Sequence, residues 1–409
     1  MSSNKKISPT LTLLVLAINA FAIGSTEFIS VGLLPMIVKS FHISLATAGL
    51  TVSLYALGVT IGAPLLTMLT GRVNRKTLML MIMLVFIAGN LLSAFAPAFS
   101  VLLIGRVIAS LAHGLFMSTS TVIAADVVEP SKRASAIAMM FTGLTVATVV
   151  GVPLGTFIGQ ISHWSMSFIF ISIIGIIGLI ASYFLVPAHL PVPGKLDLAG
   201  IKRIFTNKSL VLSFIITALG YGGTFAAYTY ISPILENKFG FSANTVVIIL
   251  IAYGVMVAIG NTLGGKFSNK HVLPSLVKMF SLLAGSLLLM YVSILIGNAI
   301  LGLATTVILG LFAFMNVPGL QLYVVQLAEE FVPKDITLAS AFNIAAFNIG
   351  ITLGSLIGAQ VTENLSVSLT PLAGSLIVAI ALAMTIFADK STIKNASLTI
   401  DAELGQDLA

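Results

Sequence analysis

Residues Ala20 to Pro35 read AFAIGSTEFISVGLLP. One carboxylate, Glu27, interrupts an apolar run that begins near Thr10 and reaches Leu34. About 20 apolar residues in a helix cross a ~30 Å hydrocarbon core, so this run is long enough to span a membrane. An ionised acid held at that depth is costly, and chains keep one there with a partner or a task. Glu27 is the only acid inside any of the long apolar stretches. Lys5 and Lys6 ahead of Ala20-Phe21-Ala22 mimic a cleavable leader, but the run continues to Leu34 and reads as an uncleaved first span.

The rest of the chain repeats this pattern. Of 409 residues, 58% are hydrophobic and 8% charged, with a mean hydropathy of +1.11. Soluble domains carry about 25% charged residues. Twelve long apolar stretches are separated by charged or Gly/Pro/Asn-rich breaks such as GRVNRK (71–76), DVVEPSKR (126–133) and AEEFVPKD (328–335). The expected fold is an all-α polytopic membrane protein of 12 transmembrane helices in two pseudo-symmetric six-helix bundles. Residues 1–187 form the first bundle, 188–208 a linker, 209–388 the second bundle and 389–409 a polar tail expected to be mobile. The linker ends in an amphipathic run (Leu196, Leu198, Ile201, Ile204, Phe205) that reads as a short helix on the membrane surface.

Charge gives the orientation. With the N-terminus in the cytoplasm, 17 of the 20 basic residues fall on cytoplasmic loops, leaving Lys39 and Lys238 outside and Arg106 within the membrane. The expected location is a cell (plasma or inner) membrane, with both termini cytoplasmic. The net charge of +7 then reflects topology and anionic lipid headgroups rather than nucleic acid. There are no cysteines, which excludes disulfides, thiolate metal sites and cysteine nucleophiles.

The two halves match at an offset of 198 residues: Pro35 with Pro233, Phe41 with Phe239, Ser44 with Ser242, Tyr55 with Tyr253 and Gly62 with Gly260. A duplicated bundle places its site between the halves near the bilayer midplane.

Several strings carry a family resemblance. The 6 + 6 layout with a cytoplasmic linker resembles the major facilitator superfamily. GSTEFISVGLLP resembles the first helix of its bacterial drug:H⁺ antiporter group, which includes sugar-efflux, arabinose-polymer, purine-efflux and chloramphenicol-resistance exporters. The loop Thr67–Lys76 matches the superfamily's loop motif at Arg72, Arg75 and Lys76, with Gly71 in place of its acid. Arg106, followed by His113-Gly114, resembles the helix-4 arginine motif. Gly151-Val152-Pro153-Leu154-Gly155 resembles the helix-5 motif of proton-driven exporters, with Val152 inserted between the usual Gly-Pro pair. Independently of any family, Pro153 frees a carbonyl and bends a helix, while Gly151 and Gly155 permit close helix contact, as ordinary packing also requires.

Glu27 and Arg106 belong at one depth. At 1.5 Å per residue Glu27 stands roughly 25 Å above the inner end of its helix and Arg106 roughly 10 Å below the outer surface. A carboxylate beside an arginine stays ionised and one in an apolar pocket takes up a proton, so separating the pair would switch it; the alternative is a static ion pair. His113 lies two helical turns from Arg106 on nearly the same face, where it relays protons, contacts substrate or bonds a neighbouring helix. Helices 1, 4, 7 and 10 line the central cavity in the resembled superfamily. That implies Asn19, His113, Asn316 and Gln321 as cavity residues, though amides also glue membrane helices. Tyr221, Phe225 and Tyr228 form an aromatic stripe that either lines a pocket or packs.

No Walker A string and no H-E-x-x-H are present, and no cluster of acids or histidines shares one depth, so an intramembrane enzyme is not expected. The expected function is a proton-coupled exporter of small amphipathic or neutral organic molecules such as drugs. It uses the proton gradient and no cofactor. Its partners are substrate, protons and membrane lipids, with no nucleic acid, and it is expected to be a monomer. A sugar or nucleobase transporter of the same fold is the alternative.

Overall fold

The computed structural model describes residues 8–406 apart from 71, 130–131, 189, 191–197 and 270. In a bilayer every backbone polar group must be met within the segment, which leaves helices or closed barrels. Twelve segments are long and apolar enough to span, and no strand occurs among the described residues.

The first half contains α1 (Pro9–Phe41), α2 (Leu45–Leu69), α3 (Arg75–Ala94), α4 (Phe99–Asp126), α5 (Arg133–Val146), α6 (Val152–Ile161) and α7 (Trp164–Leu185). α5 and α6 are one span interrupted by a π turn at Ala147–Gly151. α1 packs on α5, α6 and α7, while α4 packs on α2 and α3. Between the halves lies α8 (Leu198–Thr206). The second half contains α9 (Lys208–Tyr228), α10 (Ile231–Phe239), α11 (Ala243–Ser268), α12 (Val272–Ile296), α13 (Ala299–Ala313), α14 (Val317–Phe331), α15 (Ile336–Asn364) and α16 (Thr370–Gln406). α9 packs on α15 and α16, α12 on α13 and α16.

The repeat is visible in the helix ends. α1 stops at His42 with φ 52°, and α10 stops 198 residues later at Gly240 with φ 72°, both in the left-handed conformation that ends a helix. Ser44 and Ser242 then cap the next helices by accepting from the backbone N–H of Thr47 at 3.1 Å and Thr245 at 3.3 Å.

Two spans of the second half break where the first half stays continuous. The break between α9 and α10 falls at Thr229–Tyr230, and that between α13 and α14 at Phe314–Asn316. Pro233 and Pro318 lie just beyond, and a proline removes the hydrogen bond to the carbonyl four residues back.

The linker helix is anchored to the second half. Its described helix, α8, packs on α9 and α15. Ile204 is buried, and the Phe205 ring meets Phe342 at 4.9 Å and Phe214 at 6.2 Å. Arg203 forms a two-pronged ion pair with Asp335, Nε–Oδ2 at 2.7 Å and Nη2–Oδ1 at 3.0 Å, which fixes α8 to the start of α15. Ile204 is thus covered by protein, while the Phe205 ring stays half-exposed. α16 likewise runs past its apolar span, which ends at Asp389, so the polar tail prolongs the last helix as far as Gln406.

The halves meet through α2 with α15, α1 with α10, and α11 with both the π turn and α6. Gly254 of α11 sits so close to the π turn that a Cβ there would lie 2.7 Å from the Thr148 carbonyl oxygen. Toward the end where α1 begins, termed the inner end after the positive-inside rule, α2 and α4 part from α15 and leave a cavity of about 470 Å³.

Candidate functional site

α1, α2 and α4 converge on Arg106, which is 0% exposed. A buried guanidinium needs partners for its charge and its donors. Its Nε donates to the Thr51 carbonyl at 3.0 Å, Nη1 to the Thr26 carbonyl and Nη2 to the Glu27 carbonyl at 3.2 Å. Its Cζ stands 4.1 Å from the centre of the Tyr55 ring. The depth argument therefore brings Glu27 and Arg106 together, but through the backbone of Glu27. The half-buried Glu27 carboxylate has no hydrogen bond and no ion pair among the described residues. Carbonyl dipoles and a π face hold the cation in this conformation, and the carboxylate lies within its field without forming an ion pair with it.

His113 is nearly buried, and its Nδ1 lies 3.2 Å from the Tyr55 hydroxyl. The next residue along α4, Gly114, lines the inner cavity. Arg106, Tyr55 and His113 thus form a chain of contacts that starts at the Glu27 carbonyl and ends one residue before Gly114.

On the other side of Glu27 the helices bring Tyr221, Phe225 and Tyr228 of α9 onto the neighbouring residue, Phe28. Phe28 stacks on Phe225 at 5.9 Å, meets Phe314 edge-on at 6.1 Å and meets Tyr228 at 6.3 Å. Tyr221 packs against Phe314 at 5.3 Å and Phe347 at 5.0 Å. Tyr228 stacks flat on Tyr253 at 4.8 Å. This cluster joins the halves, since Phe28 belongs to the first and the other rings to the second. At its edge, in the break before α14, both polar atoms of the Asn316 amide are buried without a hydrogen bond among the described residues, as is the Tyr253 hydroxyl.

Other sequence candidates lie elsewhere. Asn19 turns into the first bundle, donating to Ser182 Oγ at 2.9 Å between α1 and α7. Its amide nitrogen thus bonds the two helices, while its Oδ1 is buried without a hydrogen bond among the described residues. Gln321 accepts from Asn343 at 2.8 Å and donates to Ser340, a cavity-wall residue. Arg75 pairs with Asp126 at the cavity mouth, Lys76 Nζ lies 5.5 Å from the Tyr183 ring centre, and Arg72 is exposed. Gly151 and Gly155 face α1, where a Cβ on either would strike Ser25 or Ile29. Pro153 stands in the first turn of α6, just past the π turn. The glycines therefore seat this span on its own bundle, while its Thr148–Val149 backbone touches α11.

Sequence reasoning missed Tyr55 as the neighbour of Arg106, and Phe28, Tyr253, Phe314 and Phe347 as members of the aromatic cluster. Tyr55 and Tyr253 had a signal, because they are equivalent in the repeat. The phenylalanines had none, being ordinary residues for a membrane span.

Comparisons with known proteins agree with this architecture. The profile of the Major Facilitator Superfamily matches residues 16–331. The chain is 52% identical over 384 residues to the uncharacterized MFS-type transporter YtbD of Bacillus subtilis, covering 94% of this chain and 96% of that one. It is 37% identical over 374 residues to the inner membrane transport protein YdhP of Escherichia coli K12, covering 90% and 94%. Among solved structures, a bacterial homolog of the human lysosomal transporter Spinster, inward-facing and occupied, superposes with a TM-score of 0.74 at 18% identity, covering 94% of this chain and 97% of that one. The human organic anion transporter MFSD10 (TETRAN) gives 0.70 at 16% identity, covering 92% and 99%. The chain belongs to the major facilitator superfamily and is a multi-pass membrane transporter, not an enzyme.

Proposed function

We propose that the protein is a proton-coupled exporter of small amphipathic or neutral organic molecules in a bacterial cell membrane, with both termini cytoplasmic. The observation that carries this reading is the Glu27 carboxylate, which stands unpaired between a fixed arginine and an aromatic cluster that joins the two halves. An acid with no ion pair to break can gain and lose a proton as its surroundings change. The rings beside it, with the unpartnered Asn316 amide, suit an apolar substrate bearing one or two polar groups. Protonation of Glu27 and occupation of the aromatic cluster then compete for one region. The inner cavity is the cytoplasmic half of the route, and rocking of the halves about the α2–α15 and α11–π-turn contacts opens the outer half.

The test is transport into inverted membrane vesicles under an imposed pH gradient, acid inside, with a panel of neutral and cationic dyes and drugs. Accumulation of a panel member that collapses with a protonophore supports the reading. Transport unaffected by collapsing the gradient points to a uniporter instead.

A further inference from the structure

We propose that Tyr55 is the positioning residue of the proton site, its ring seating the Arg106 guanidinium and its hydroxyl fixing the orientation of His113. This deepens the proton-coupled reading and rests on it for its functional meaning. Tyr55 is 1% exposed, on α2. Its ring centre lies 4.1 Å from the guanidinium carbon, and its hydroxyl is 3.2 Å from His113 Nδ1. One side chain thus touches both cationic candidates of α4. Three carbonyls hold the edge of the guanidinium and the ring holds its face. Without the ring, that face is open and the fork can rotate from the Glu27 carbonyl towards the Glu27 carboxylate, the nearest charge of opposite sign. Holding the cation on the carbonyl keeps the carboxylate available to the proton.

The repeat sharpens the assignment. Tyr253 occupies the equivalent position of the second half, yet no cation faces it among the described residues; its ring stacks on Tyr228, and its buried hydroxyl has no partner there. The same position therefore serves charge in one half and ring packing in the other. Packing alone accounts for an aromatic residue at 55 but not for its hydroxyl, which the bond to His113 uses.

The test uses full-length protein in lipid nanodiscs, labelled with nitrogen-15 at arginine and histidine. The chain has five of each, and loss of one signal in Arg106→Lys and in His113→Gln assigns the two of interest. Tyr55→Phe should move the His113 ring-nitrogen signals and leave Arg106 Nε in place. Tyr55→Leu should move both, with the other four residues of each type unchanged. Tyr55→Trp, which restores a π face, should return Arg106 towards its original position, and Tyr55→Met, which also lacks a ring, replaces the leucine variant if that variant does not fold. His113 unmoved in Tyr55→Phe overturns the assignment, as do shifts spread over all arginines and histidines alike. No readout here depends on transport, so a failed vesicle experiment and a failed spectrum are separate results.

Discussion

At the scale of the residue, the site turns on how Arg106 is satisfied. Its three carbonyl bonds come from α1 and α2, so it ties three helices together as well as placing a charge. Lysine keeps the charge but not the planar fork. Arg106→Lys should therefore lose charged hydrogen bonds worth about 1.5–3 kcal/mol each, visible as a lowered unfolding midpoint in detergent. Glu27→Gln is close to isosteric and leaves the carbonyl in place for Arg106. It should reduce pH-driven accumulation to the level of empty vesicles while substrate still binds, and full accumulation by this variant would refute the coupling role. Asn19 gives the opposite contrast. Its bond to Ser182 joins helices of one bundle, so Asn19→Leu should cost about 0.6–1.7 kcal/mol of stability and leave substrate affinity unchanged in the same binding assay.

At the scale of the element, the sequence showed where helices lie better than where they break. Apolar length and charged loops mark each span, because lipid admits few alternatives. Counting rise per residue puts Glu27 and Arg106 at one depth, and their helices do meet there. Counting says nothing of rotamers, so it leaves open whether the guanidinium takes the carboxylate or the carbonyl. The breaks at Thr229–Tyr230 and Phe314–Asn316 were legible only through Pro233 and Pro318, and membrane helices often absorb a proline without breaking. The linker helix was legible as amphipathic, but its partner was not, since α15 is distant in the chain and Arg203 reads like any other loop cation. The ion pair predicts its own effect: Asp335→Ala should release α8 and raise the rate at which trypsin cuts the linker, while leaving the twelve spans inserted. Unchanged cleavage would mean that the apolar contacts of Phe205 and Ile204 hold α8 without the pair.

At the scale of the whole molecule, the halves touch at α11 and the π turn and separate around the inner cavity. Gly254 has backbone rather than a flexible side chain opposite it, 2.7 Å from where an added methyl would stand, so Gly254→Ala must push α11 away from the π turn. Gly155 faces only the tip of Ile29, which can turn aside. Gly254→Ala should therefore shift the population towards a conformation open at the outer end, and Gly155→Ala should not. Because the chain has no cysteine, single cysteines introduced at Lys39 and Lys238 carry spin labels that report the outer end directly. Their separation should lengthen in Gly254→Ala; an unchanged distance distribution would show that this contact does not govern the rocking.

The backbone clamp on Arg106 also has an electrical consequence. On the proposed proton-coupled reading, the positive charge tied to three carbonyls belongs to the scaffold and stays behind when the protein reorients its site. Glu27 is then the one intramembrane acid left to change charge. Exchange of one proton for one neutral molecule moves a net charge per turnover, whereas exchange for a monovalent cation moves none. For an exporter coupled in the proposed way, the membrane voltage, worth about 2.3 kcal/mol per charge per 100 mV, drives export of neutral cargo alongside the pH difference. Proteoliposomes on a sensor electrode should give a transient current with a neutral substrate and almost none with a cationic one, and valinomycin-clamped voltage alone should sustain the first and not the second.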